Sequence, residues 1–102
     1  MTMIRPERLA ELRAQRDAEA HRIRLMQARV EAARAAGMRL AAETMTYGQI
    51  QALAGPKGHP RDLGQRLAEL VRLVPGAAAL ALATHEECDA FERGVSTVHG
   101  AL

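Results

Sequence analysis

His85 and Cys88 stand three residues apart, a spacing that puts an imidazole and a thiol on one helical face, and His99 offers a further nitrogen. Such residues could hold a metal ion or pair a base with a nucleophile. A metal site would need another ligand or a clear second pair, and a nucleophile would need oxyanion donors. Neither is identifiable in the sequence. We therefore read Cys88 as a half-buried thiol beside Phe91 and expect no metal, no cofactor and no catalytic residue. Glu86, Glu87, Asp89 and Glu92 read as a solvated acidic face. Lys57-Gly58 lies in a Gly-Pro loop but lacks the Gly-x4-Gly-Lys-Ser/Thr spacing that cradles a phosphate.

The other chemistry is charge. The net charge is only +2, yet residues 1–43 carry nine arginines against six carboxylates, whereas residues 44–102 carry five bases against six. Thirteen of the fourteen bases are arginine, which suits two-pronged contacts with phosphate or carboxylate. The same enrichment is also what a codon bias would leave.

These charges need an element to present them. From Pro6 to Glu43 the chain is rich in Ala, Arg, Glu, Leu and Gln, with Gly37 as its sole glycine. Pro6 suits a first helical turn, where its missing N–H costs nothing. We expect one long helix over 6–43. Its apolar residues follow a heptad, with Leu9, Arg16, Ile23, Val30 and Gly37 at a, and Leu12, Glu19, Met26, Ala33 and Leu40 at d. The seam is interrupted at Arg16 and Glu19. Arg8, Arg22 and Arg29 flank it at g, and Arg13 and Arg34 at e. A parallel, in-register pair would face arginine with arginine. An antiparallel pair, an acidic protein partner or a phosphate backbone suits residues 9–40 better. So does packing on the rest of the chain.

Residues 44–102 read as a second unit. Thr46 is a good N-cap for a helix from Tyr47 to Ala54, stopped by Gly55. Residues 55–60 form a loop, and a helix over 60–73 follows, with Leu63, Leu67, Leu70, Val71 and Val74 as its buried stripe. Ala77 to Ala83 is compatible with helix and with a short buried strand. Thr84 and Glu87 match a capping box for a helix over 85–93 that stops at Gly94. Val95 to Leu102 reads as a strand or a loose tail; as a strand, residues 95–99 would pair with 77–83 in a short β-wing. The expected fold class is mainly α: a long N-terminal helix, then a helix-turn-helix, winged-helix-like core with at most a short β-wing.

Thr46-Tyr47-Gly48-Gln49-Ile50-Gln51-Ala52-Leu53-Ala54-Gly55 is followed, after Pro56 to Pro60, by Arg61-Asp62-Leu63-Gly64. This pattern resembles the DNA-binding domain of the O6-alkylguanine-DNA alkyltransferases and alkyltransferase-like proteins, over residues 46–67. The resemblance implies that Tyr47 contacts a DNA phosphate beside an extruded nucleotide and that Arg61 enters the base stack. A tyrosine hydroxyl and an arginine at a helix start are chemically suited to those roles. Gly48 and Gly64 would allow close backbone approach. Lys57, Gln65 and Arg66 complete the candidate DNA-binding set. The family's reactive segment, Pro-Cys-His-Arg-Val, and its tryptophan-substituted version are absent. Val74-Pro75-Gly76-Ala77-Ala78-Ala79-Leu80 stands there instead, so the resemblance implies double-stranded DNA binding without alkyl transfer.

Composition narrows the remaining classes. In 102 residues and 11.1 kDa there is room for one domain, or a small domain with an appendage. Tyr47 and Phe91 are the only aromatics, which excludes a stacking platform for single-stranded nucleic acid. A single cysteine excludes an internal disulfide. Residues 5–24 are too charged for a signal peptide, and Val74 to Ala83 is about half the ~20 residues that span a bilayer. We expect a cytoplasmic, non-enzymatic DNA-binding protein, or alternatively a coiled-coil adaptor, of the phage or regulatory type, docking an acidic protein.

Overall fold

Alanine, arginine and glutamate carry the chain into helix from Pro6 onward, and nothing interrupts it for 38 residues. The computed structural model describes residues 3–55 and 62–102. Helix α1 runs Pro6–Glu43, as read from the sequence, with Pro6 in the first turn. It ends where Thr44 and Met45 both donate their backbone N–H to the Leu40 carbonyl, each at 2.9 Å. Then follow α2 (Tyr47–Ala54), α3 (Leu63–Leu73), a 3-10 helix (Pro75–Leu80) and α4 (His85–Ala101). Among the described residues there is no strand, and no helix is long and apolar enough to cross a membrane.

Each short helix starts at a side-chain cap. Thr46 accepts the Gln49 N–H while Gln49 Oε1 accepts the Thr46 N–H, a complete capping box. Asp62 accepts the Gln65 N–H at 2.8 Å, so α3 begins at Leu63 rather than at Pro60. Thr84 accepts the Glu87 N–H at 3.1 Å.

The expected wing is not formed. Residues 75–80 wind into a 3-10 helix, because Pro75 presets the first turn and alanines follow. Residues 95–99 are the interior of α4. Gly94 does not end that helix; it lies buried in its middle. A Cβ on Gly94 would sit 2.1 Å from the Arg34 carbonyl oxygen, and one on Gly37 would sit 2.2 Å from that of Phe91. Two backbones thus touch where α1 and α4 cross, and only glycine leaves room.

Around that crossing, Ile50, Leu53, Leu70, Val74, Cys88, Phe91 and Val95 form the core with Ala41. Of the expected α3 stripe, Leu63 and Leu67 are half-buried and Leu70 and Val74 buried, but Val71 faces outward and Leu73 turns in. The second half of α1 enters this core through Ala33, Ala36, Gly37 and Ala41. The first half does not: residues 3–19 are all exposed. A helix of 38 residues is about 57 Å long. That accounts for a molecule 64 Å in its longest dimension and only 26 and 25 Å in the others.

Candidate interaction surface

Two surfaces compete as the functional one. The first gathers the residues singled out by the DNA-binding resemblance. Tyr47 opens α2 and is 58% exposed, its ring stacked on His99 of α4 with centroids 6.2 Å apart. Gln65 is exposed in the first turn of α3. Lys57 and Arg61 lie outside the described residues.

Arg66 is differently placed. Its guanidinium is mostly covered and spans from α3 to α4, bonding Asp89, Glu92 at 3.0 Å and the His85 carbonyl at 3.3 Å. Burial works against its charge, but the two carboxylates outweigh it and hold its pKa above the ordinary arginine value. A phosphate would have to displace those carboxylates. Along α4, Glu92 and His99 are seven residues apart, so Arg66 and Tyr47 meet that helix about 10 Å from each other.

The two short helices are held chiefly by other elements. Helix α2 rests on α4, and α3 on the 3-10 helix. The Gln49 side chain links α2 to the end of α3 by donating to the Leu73 carbonyl at 3.1 Å. Gly48 and Gly64 are exposed, and among the described residues a Cβ on either would meet only the local cap, at 3.9 Å and 3.3 Å. The close approaches belong instead to Gly37 and Gly94. A signal for them was present in the small residues at four-residue intervals, Ala33-Gly37-Ala41 on one helix and Ala90-Gly94 on the other.

Cys88 is fully buried in the core against Phe91. Burial pushes its thiol pKa up, away from the thiolate a nucleophile or metal ligand requires. His85 bonds Arg66, and His99 stacks on Tyr47, so neither joins the thiol in one site.

The second surface is the projecting half of α1. Residues 3–30 carry seven arginines against four carboxylates, and some are paired along the helix: Arg8 with Glu11 at 3.2 Å and Arg22 with Glu19 at 2.5 Å, with Arg34 paired to Glu31 nearer the head. Arg29 reaches α4, where its Nε lies 3.2 Å from the buried Glu87 carboxylate. Glu87 also accepts the Ala83 N–H at 2.9 Å. Between these pairs runs an apolar seam, Leu9 (38% exposed), Leu12 (36%), Ile23 (45%) and Met26 (47%), left open by the described residues. Near the head it becomes a groove walled by Ile23, Met26 and Val30, with Glu31 and Glu86 at its edge.

Comparison with protein families, with curated proteins and with solved structures finds no match.

Proposed function

We propose that the chain is a protein-interaction module, in which the α4-centred head holds a projecting helix whose apolar seam docks onto another helix. The observation that carries this reading is the alignment of Leu9, Leu12, Ile23 and Met26 on one uncovered face. In water such a stripe favours burial, and a heptad stripe on a helix is complementary to a second helix. Four of the five flanking arginines, Arg8, Arg22, Arg29 and Arg34, already face carboxylates, which suits a protein partner better than a phosphate backbone. A photo-cross-linking residue replacing Leu12 tests the idea in cells, with one at Val71 on α3 as control. Adducts from Leu12, to a second copy or to another chain, are expected, and none from Val71. Absence of any adduct from Leu12 and from Ile23 would overturn the reading.

The exposure of Tyr47 favours a second reading, contact with double-stranded DNA through Tyr47, Lys57, Arg61, Gln65 and Arg66. It requires a gel shift at low salt that weakens steeply as salt rises and is lost in Tyr47→Ala and Arg61→Ala. Equal binding by those variants would remove it.

A further inference from the structure

We propose that the seam's occupant is a second copy of this chain, lying antiparallel along residues 5–30 in a single register. This rests on the docking reading above and adds the partner and the geometry. In an antiparallel pair each layer sets an a residue against a d residue of the other helix. The two polar interruptions, Arg16 at a and Glu19 at d, lie symmetrically about the bond between Asp17 and Ala18. A two-fold axis at that bond brings Arg16 against Glu19 of the second copy, and Glu19 against its Arg16. The same axis brings Leu9 against Met26 and Leu12 against Ile23, twice each. Each of these six layers joins like with like in polarity, and opposite with opposite in charge.

Other arrangements lose this match. Parallel, in-register helices face Arg16 with Arg16 and Glu19 with Glu19. Sliding the antiparallel pair by a heptad one way sets Arg16 against Met26 and Glu19 against Ile23. Sliding it the other way sets Leu9 against Glu19 and Leu12 against Arg16. Both shifts bury a charge against an apolar side chain, which is costly.

The charge at the ends agrees. In the outermost layer the axis sets Arg5 of the second copy against Val30, where Glu31 and Glu86 at the edge of the groove offer its charge a counterpart. The overlap stops there, as the head begins to cover α1. Along the flank Arg8 comes near Arg29 of the second copy, but Glu11 and Glu87 already neutralise these two at 3.2 Å each. Arg16 and Glu19 are more than half exposed and able to turn toward a second helix. An isologous interface of this kind closes on itself as a dimer.

Two measurements on the purified full chain test it. First, Leu12→Cys and Ile23→Cys proteins are oxidised separately and mixed, with the buried Cys88 left in place. A disulfide-linked dimer is expected from the mixture and not from Leu12→Cys alone; a dimer from Leu12→Cys alone means parallel helices and overturns the proposal. Second, Arg16→Glu and Glu19→Arg should each weaken association at least about tenfold, and R16E/E19R should restore it to within about threefold, with helix content by circular dichroism unchanged. Failure of the double swap to restore association overturns the register. A chain that stays monomeric at about 100 µM overturns the second copy as partner. Cross-links from Leu12 to some other protein would then leave the docking reading standing by itself.

Discussion

A Cβ on Gly94 would lie 2.1 Å from the carbonyl oxygen of Arg34, so α4 crosses α1 with backbone against backbone. The projecting helix is gripped at this crossing, with Gly37 and Phe91 forming its other contact. Gly94→Ala therefore forces the helices apart. Alanine returns up to about 1 kcal/mol of helix propensity, but overpacking against main chain costs about 3 kcal/mol or more, so a net loss is expected. Thermal unfolding should show a midpoint lower by roughly 10 °C. Gly100→Ala, with nothing within 4 Å of the added carbon, is the control and should not lower it.

The crossing also explains which parts of the fold were legible in sequence. Pro6, the run of helix formers and the caps at Thr46 and Thr84 act within a turn or two, so α1, α2 and the start of α4 were readable. Gly94 reads locally as a stop because glycine is a poor helix former. Its role depends on Arg34, sixty residues earlier, which no local pattern reports. The same holds for Arg66, which in sequence is a base near a helix start, and in the fold is ion-paired to Asp89 and Glu92. The heptad seam was legible because it is a local periodicity. That its first half stays uncovered was not, because the sequence does not say where the head ends.

Arg66→Ala should destabilise the head by about 2 kcal/mol, since it removes a mostly covered guanidinium that bridges α3 to Asp89 and Glu92. Arg66→Lys should recover part of that loss, because the charge returns without the two-pronged geometry. Chemical denaturation with urea measures both. An Arg66→Ala protein as stable as the parent would contradict the placement of this side chain.

Cys88 supplies a pH dependence. Its folded pKa is raised by burial, so the unfolded thiol loses its proton first. The unfolded state then binds fewer protons, and stability falls with pH. The contribution is fully present below the ordinary thiol pKa of about 8.5 and is lost as pH rises through the folded value. Urea midpoints should therefore decline across that alkaline range, and Cys88→Ala should flatten the decline. In the native protein, modification of the thiol at pH 8 should be slow and should accelerate with denaturant.

Ala81 has φ 53°, in the left-handed region, just before the cap of α4. Its carbonyl accepts from Arg29 at 3.5 Å. Left-handed backbone costs an L-residue about 1 kcal/mol that glycine avoids. Ala81→Gly should match or exceed the parent's stability, and Ala81→Val should fall below it; the opposite order in thermal melts would exclude this conformation.

Under the proposal above, another copy of the chain fills the α1 seam. Sedimentation equilibrium of the unmodified protein tests it most directly. The mass should rise from 11.1 kDa toward twice that value as concentration increases, and Leu12→Asp should hold it at 11.1 kDa with the head still folded. A parent chain that remains at 11.1 kDa throughout, or a Leu12→Asp protein that associates as the parent does, would contradict it.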